Sequence, residues 1–368
     1  MRFLLMLLVF LAAPVVVAEE RAELVELLDA ANDAFPKAIA PRRFEFPADH
    51  GPHPEYRNEW WYVTGNLDAE SGRRFGYELT IFRFALTPTL EDSPSAWRTN
   101  QLFIAHLAVT DPGRERFYVD EKLSRGALGL AGAEAAPFAV WIDDWSIRAD
   151  AAAPENWLIS AASEDMALDL TLKSLKPPVL NGDAGLSQKS SEPGNASYYY
   201  SMTRLETVGE LRVGDASFQV RGSSWADREW STSALGDDQV GWDWFALQFE
   251  DGRELMVYQL RRRDGSADPN SAGTLVFADG GSVHLENDDI VLRVLDTWSS
   301  PEGGTYPSRW QLEVPAYDIR VEVVPVMQDQ ELFTTVRYWE GAVDVSGSSK
   351  GQDGRGYVEL TGYAETLE

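Results

Sequence analysis

Several carboxylates stand beside tryptophan or tyrosine in the sequence, and this pattern could perform proton chemistry. It occurs in three strings: Trp225-Ala226-Asp227-Arg228-Glu229-Trp230, Trp242-Asp243-Trp244 and Tyr338-Trp339-Glu340. Indole rings exclude water from a carboxylate, which raises its pKa toward the range of a general acid, and their π faces can stabilise a carbocation. The pattern therefore predicts protonation of an alkene followed by attack of water, with Asp227 or Asp243 as the acid and Trp230 and Trp244 beside the cation. The alternative is a buried network of arginine–carboxylate ion pairs.

Aromatic residues are abundant, with 13 Trp, 13 Tyr and 16 Phe, although valine, leucine and isoleucine would build a core more simply. Their clustering around acids predicts an aromatic-lined cavity for a flat, hydrophobic ligand or a cation. The alternative is ordinary core packing and strand propensity. The residues predicted to line the cavity are Glu59, Trp60, Trp61, Tyr199, Trp242, Trp244, Trp339 and Glu340.

Two further polar residues lie in apolar, strand-like segments. Arg83 is predicted to point into a barrel and to need an acid such as Glu59 as its partner. His106 is either a core histidine with satisfied hydrogen bonds or a member of the site. A string with His-x-x-His spacing, from Asp49 to His53, lies among prolines that define no helix face, so no metal and no cofactor is predicted.

Composition excludes several classes of protein. The formal charge of −27 argues against a nucleic-acid partner, because a duplex repels an acidic surface. The sequence contains no cysteine, which excludes disulfides, thiolate metal sites and a cysteine nucleophile. The string Gly347-Ser348-Ser349-Lys350-Gly351 has Gly-x-Ser-x-Gly spacing, but no alternation of strands and helices surrounds it, so an α/β-hydrolase triad has no support.

The N-terminal segment has the features of a secretory signal. Arg2 precedes the apolar run from Phe3 to Val17, and cleavage is predicted after about Ala18. The run is short for a membrane-spanning helix, which needs about 20 residues. We therefore expect a periplasmic or secreted protein that is not an integral membrane protein after cleavage.

The remaining elements are almost all strands. One short amphipathic helix is expected within residues 20–35, in a helix-and-linker region covering 19–40. Strand-like runs bounded by Gly, Pro, Asp or Asn follow, which predicts an all-β protein of barrels or sandwiches. Residues 173–197 are predicted to form a long functional loop over a barrel mouth. The second half begins after about residue 230, so the domains are expected at 41–230 and 231–368.

The motifs resemble those of a known family. The matching strings are Phe46-Pro47-Ala48-Asp49-His50, Glu59-Trp60-Trp61-Tyr62, Ala105-His106-Leu107-Ala108, Ser224-Trp225-Ala226-Asp227-Arg228-Glu229-Trp230, Gly241-Trp242-Asp243-Trp244-Phe245 and Tyr338-Trp339-Glu340-Gly341. In this order they resemble the AttH/CrtC-like proteins, the lipocalin-like "predicted secreted hydrolases" related to carotenoid 1,2-hydratase. The resemblance implies two lipocalin-like antiparallel β-barrels packed together.

The resemblance also assigns roles to single residues. In the carotenoid hydratases a histidine stands where this chain has Arg228, and Trp230 is kept. Tyr258 matches a downstream tyrosine, whereas Leu260 stands in place of an aspartate. Arginine stays protonated and cannot shuttle a proton, so the resemblance favours the AttH-like branch over true carotenoid hydration. It implies a periplasmic companion of an ABC-type permease.

Two functions remain open at this point. The first is a carrier that binds a hydrophobic small molecule for a membrane transporter. The second is a hydratase or hydrolase that uses Asp227 or Asp243 as general acid, with His106 or Tyr258 assisting. Both use one site, which is expected between the barrels around Glu59, Arg83, Asp227, Arg228, Trp230 and Asp243.

Overall fold

A computed structural model describes residues 22–23, 34–90, 92–232 and 235–364. The predicted signal at 1–18 and most of the predicted helix lie outside the described residues. At Ala22–Glu23 the helix prediction is wrong, because these two residues form a strand (β1) that pairs in parallel with Val336 and Arg337.

Thirteen strands form the first sheet, in the spatial order β5-β4-β3-β2-β14-β13-β10-β9-β8-β7-β6, with β11 and β12 paired to β13. Their bounds are β2 (Asn58–Ala69), β3 (Arg74–Ala85), β4 (Gln101–Asp111), β5 (Arg116–Arg125), β6 (Ala131–Ala135), β7 (Phe138–Ile142), β8 (Trp145–Ala149), β9 (Asn156–Ala162), β10 (Met166–Ser174), β11 (Val179–Leu180), β12 (Leu186–Gln188), β13 (Ala196–Val213) and β14 (Ala216–Ser231).

Eleven strands form the second sheet, in the order β18-β17-β16-β15-β24-β23-β21-β20-β19, with β1 and β22 also paired to β23. The bounds are β15 (Gln239–Phe249), β16 (Glu254–Arg262), β17 (Ala272–Val276), β18 (Ser282–Glu286), β19 (Val291–Ser299), β20 (Thr305–Val314), β21 (Ile319–Pro325), β22 (Glu331–Phe333), β23 (Val336–Gly347) and β24 (Gly354–Leu360). Four single-turn 3₁₀ helices occur at Ala48–His50, Pro112–Arg114, Asn287–Asp289 and Pro315–Tyr317.

The all-β prediction of two packed barrel-like units is confirmed. One sheet closes almost completely into a barrel and the other forms a half-barrel. The first sheet curls so that β7 lies against β3, β4 and β5, and its interior is filled by aliphatic and aromatic side chains. The second sheet has its own apolar core. The chain passes from one sheet to the other between Ser231 and Gln239.

The outer face of the first sheet packs against the second sheet. At Gly76 the two backbones approach so closely that a Cβ atom there would lie 2.6 Å from the Cβ of Ala342, so only glycine fits. Nearby, the Asn66 side-chain amide donates to the backbone carbonyl of Gly356 at 3.0 Å. The buried aromatic and polar residues between the sheets form a third core, distinct from the two barrel interiors.

Candidate active site between the two sheets

A cavity of about 730 Å³, counted with its open mouth, lies between the two sheets. Side chains from β2, β3, β13 and β14 form one wall, and side chains from β15, β16 and β24 form the other. The lining residues are Trp60, Tyr62, Phe82, Lys189, Tyr199, Asp227, Glu229, Ser231, Leu235, Trp242, Trp244, Tyr258, Leu260 and Glu359.

Strand register places the polar residues of the first sheet in one row. Asp227 stands directly opposite Ser201 in β13 and opposite Tyr62 in β2, and the row continues through Thr80 to His106. Residues opposite each other in an antiparallel pair share a face of the sheet, so this row lies on the outer face. A second row, formed by Tyr258, Trp244, Glu359 and Glu340 through the pairings of β16, β15, β24 and β23, lies on the second sheet. The cavity lies between these rows at the Asp227 end.

Asp227 is the buried acid at the centre of the cavity. Its carboxylate accepts hydrogen bonds from the Tyr199 hydroxyl at 2.5 Å, the Ser201 hydroxyl at 2.6 Å and the Trp225 indole N–H at 2.6 Å. Burial raises the pKa of Asp227 to about 7, although these three donors act in the opposite direction. Near neutral pH the group therefore occupies both protonation states, as an acid–base catalyst requires.

Lys189 brings a positive charge to the cavity wall from the segment after β12. Its ammonium lies 2.9 Å from the Glu229 carboxylate and 4.4 Å from the centre of the Tyr258 ring. Ser187 lies 3.1 Å from this ammonium and 3.0 Å from the Tyr258 hydroxyl. Burial acts to lower the pKa of Lys189, but the charges of Glu229 and Tyr258 act more strongly in the opposite direction. The pKa is therefore raised, and the lysine stays charged.

Glu359 is the acid of the opposite wall. It accepts a hydrogen bond from the Trp242 indole N–H at 2.9 Å, and burial raises its pKa to about 8. Behind it lie two more buried carboxyls, Glu340 and Glu78, whose pKa values burial also raises. Each carboxyl is shielded from solvent and lies near another acid, so the protonated, neutral form of each carboxyl is favoured.

Six of the residues predicted for the site line the cavity. They are Trp60, Tyr199, Asp227, Trp242, Trp244 and Tyr258. Glu340 lies behind the wall, where it accepts a hydrogen bond from the Tyr62 hydroxyl at 2.5 Å.

The expected grouping of Arg228, Trp230, Glu59 and Arg83 with Asp227 is wrong. Adjacent residues of a strand point to opposite faces, so Arg228 and Trp230 point into the first barrel while Asp227 faces the cavity. Arg228 lies 3.9 Å from the centre of the Trp61 ring and donates to Glu59 at 2.8 Å. Glu59 also pairs with Arg83, as the sequence predicted. These residues form the buried ion-pair network that was the alternative interpretation.

The same alternation removes three other predicted residues from the cavity. Trp61 faces the first barrel's core, and Trp339 packs in the second sheet's core. Asp243 lies between two cavity tryptophans in sequence but on the other face of β15, where it pairs with Arg261 at 2.9 Å and accepts from Tyr363. His106 lies on the outer face but beyond the cavity, beside Tyr338 and Glu121.

Sequence reasoning missed several lining residues, of which Glu229, Lys189 and Glu359 carry charge. Glu229 could have been found by alternation, since it lies two residues after Asp227 on the same strand face. Lys189 could not, because its position depends on how residues 173–197 fold. That segment was expected over a barrel mouth; instead β11 and β12 pair with β13 and bring Lys189 between the sheets.

Within the described ranges, the structure holds no group of three or more histidine, aspartate or glutamate side chains close enough to bind a metal ion. In the segment that contains the His-x-x-His string, Asp49 and His53 are hydrogen-bonded to each other at 3.1 Å. Among the same residues, no helix is both long and apolar enough to cross a membrane.

Comparison with known proteins gives a family match over most of the chain. The AttH-like family model matches residues 37–363. An AttH structure from Nitrosomonas europaea is 32% identical, with a TM-score of 0.81, over 90% of this chain and 100% of that one.

More distant relatives carry enzymatic names. Kievitone hydratase from Nectria haematococca has a TM-score of 0.66 at 16% identity, over 90% of this chain and 97% of that one, which shows a shared fold alone. Dehydratase asqC from Emericella nidulans is 24% identical over 222 residues, or 55% of this chain. That match spans 60% of the dehydratase, less than two thirds of its length. The family model and the structural match to an AttH together show that this chain belongs to the AttH-like family.

Proposed function

We propose that the cavity between the sheets catalyses the addition or removal of water on a hydrophobic small molecule, with Asp227 exchanging the proton. The observation that carries this proposal is a fully buried carboxyl in an aromatic cavity with a pKa of about 7. A group with this pKa can give and take a proton near neutral pH, which is the requirement for general acid–base catalysis.

The two walls suit the two halves of the reaction. In hydration, protonated Asp227 gives its proton to an alkene carbon, and the rings of Trp60 and Trp244 stabilise the positive charge that develops. Water then bonds to the adjacent carbon and gives its proton to ionised Glu359 on the opposite wall. Dehydration is the reverse: Glu359 protonates the leaving hydroxyl and Asp227 takes the proton from carbon. Lys189 is placed to hold a polar oxygen of the substrate.

The enzymatic names of two distant relatives support a hydro-lyase over a hydrolase. One is a hydratase and the other a dehydratase. Both reactions need an acid and a base around an apolar substrate, and the described cavity offers two carboxyls among aromatic rings.

The test begins with the ligand. The mature protein is purified from its own periplasm, and organic extraction with native mass spectrometry identifies what is bound. That compound and related alkenes and alcohols are then incubated in ¹⁸O-labelled water, and products are scored by mass. Asp227→Asn should lower turnover by roughly 10²–10⁴-fold with little change in binding. Asp169→Asn, an exposed aspartate on β10, is the matched control. Turnover of Asp227→Asn within a few-fold of wild type would overturn the assignment.

The second candidate is a carrier of a hydrophobic ligand that works with an ABC-type permease in the periplasm. An open cavity walled mainly by aromatic rings favours it, since such a cavity binds ligand without chemistry. A carrier should keep its affinity in Asp227→Asn and release its ligand chemically unchanged. Export itself is checked by N-terminal sequencing of the periplasmic protein, which should begin after about Ala18.

A further inference from the structure

A line of polar groups runs from His106 to the surface. His106 is completely buried, and its Nδ1 atom lies 2.7 Å from the Tyr338 hydroxyl. Its Nε2 atom lies 3.0 Å from Glu121 Oε1, and the Glu121 side chain is 21% exposed, so it reaches water. Thr334 also faces Nε2, at 3.3 Å, and the Thr335 hydroxyl and backbone N–H donate to Glu121. The proposed reaction uses none of these groups.

The inner end of this line meets the acid cluster behind the cavity. Glu359 lines the cavity, Glu340 stands directly opposite it in β23, and Glu78 approaches from β3. Tyr338 and Thr80 are the other groups that interact with Glu78.

Several polar atoms of this cluster are open to further bonding. Within the described part of the chain, neither carboxyl oxygen of Glu78, nor Glu340 Oε2, nor the Tyr357 hydroxyl has a well-aligned hydrogen-bond partner. These buried polar groups influence one another electrostatically and are not members of fixed ion pairs, so protons can be redistributed among them.

We propose that Glu78, Tyr338, His106 and Glu121 form a proton pathway that connects Glu359 at the cavity wall to solvent. The use of the pathway rests on the proposed function: hydration leaves the proton of Asp227 on the substrate and adds one to Glu359. After every turnover Asp227 must regain a proton and Glu359 must lose one. On the cavity side, apolar groups surround both carboxyls. A pathway behind the wall lets Glu359 exchange its proton while bound substrate fills the cavity and blocks its mouth.

The transfer balances at each step. Glu359 passes its proton to one oxygen of neutral Glu78 as the proton on the other oxygen moves to the Tyr338 oxygen and the Tyr338 hydroxyl proton moves to Nδ1 of His106. The imidazolium so formed gives its Nε2 proton to the Glu121 carboxylate, which releases it to water. Rotation of the Tyr338 hydroxyl, and exchange of the His106 proton from Nδ1 to Nε2 with water during transient exposure of the ring, restore the pathway. The reverse sequence brings a proton in.

The test needs no substrate. After a jump from about pH 6 to about pH 9, stopped-flow infrared spectroscopy follows the carbonyl band of the protonated buried carboxyls, with the Glu78 band assigned from Glu78→Gln. His106→Gln keeps hydrogen-bonding groups at this position but cannot carry a proton. In this variant the Glu78 band should decay at least about tenfold more slowly, because histidine is the group suited to proton transfer near neutral pH. Glu121→Gln, at the surface, should slow it too.

Controls separate this pathway from other routes. His284→Gln changes an exposed histidine on β18 and should leave the rate unchanged. The comparison is repeated in Ser231→Trp, where a large ring inside the cavity slows direct exchange through its mouth. Wild-type rates in both His106→Gln and Glu121→Gln would overturn the pathway. Slowed exchange in a protein that hydrates nothing would keep the pathway and overturn the proposed function instead.

Discussion

Replacing Glu78 by glutamine should make the protein more stable at alkaline pH, although it removes a charge from the buried interface. Burial raises the pKa of Glu78 from 4.5 to about 8, and Glu359 raises it further, while Thr80 acts against this shift. The folded protein therefore keeps a proton on this group that the unfolded chain loses. Stability falls as pH rises through the window between those two values. Glutamine imitates the neutral acid and has no proton to lose.

The magnitude follows from the two pKa values. Between pH 6.5 and pH 8, linkage gives a loss of about 1.7 kcal/mol for Glu78. Glu359, with a pKa of about 8, adds a similar loss, and Asp227, with a pKa of about 7, adds about 0.8 kcal/mol. His50 acts the other way, because burial lowers its pKa to about 4, but its contribution is nearly complete by its ordinary pKa of 6.5. The window above 6.5 therefore isolates the carboxyls.

The assay is urea unfolding at several pH values between these limits, with the free energy extrapolated to water. Wild type should lose at least about 4 kcal/mol across the window, because Glu340 also has a raised pKa and adds to the loss, and Glu78→Gln should lose about 1.7 kcal/mol less. Glu206→Gln, at an exposed position on β13, controls for the loss of a carboxylate as such and should follow wild type. A wild-type stability that is flat or rises over this window, or a Glu78→Gln slope equal to that of wild type, would refute the reasoning.

Two other outcomes are expected, one from the cavity carboxyls and one from the ion pairs of the first barrel. The rate of hydration or dehydration should be greatest between about pH 7 and pH 8, because one wall must be protonated and the other ionised; a rate that rises steadily from pH 5 to pH 9 would contradict the two-carboxyl mechanism. Arg228→Met should destabilise the fold by about 3–5 kcal/mol in the same unfolding assay, because it removes one of the two arginines that pair with the fully buried Glu59. The double variant Arg228→Met with Glu59→Gln should recover part of that loss, because the carboxylate is then gone as well.

The general architecture could be predicted from sequence because it depends on local patterns. Alternating apolar residues and regular turn signals indicated strands, and the grouping of acids with aromatics indicated a buried site between two β units. Asp227 and Trp244, which were chosen from their neighbours in sequence, do line the cavity between the sheets. The prediction went wrong where neighbours in sequence were taken as neighbours in space, as with Asp227 and Arg228, which alternation separates onto opposite faces of β14.

Other parts of the site depend on strand pairing, which the sequence does not display. Glu359 meets Glu340 because β24 pairs with β23 in one register, and a shift of β24 by one residue would turn Glu359 to the other face of the sheet, away from Glu340. Lys189 reaches the cavity because β12 pairs with β13. Lys189 stands in no conspicuous motif, so only the assembled sheets show that it lines the cavity.

The position of Arg228 changes what its identity implies about function. An arginine in place of the hydratases' histidine seemed to argue against proton chemistry, since arginine cannot transfer a proton. In this structure the guanidinium points into the first barrel, where it binds Glu59 and the backbone carbonyls of Gly51 and Trp60. It therefore fills a structural role on the face opposite the cavity. Under the proposed function the proton chemistry rests on Asp227 and Glu359 across the cavity, and a histidine at 228 would lie on the face of β14 opposite the cavity.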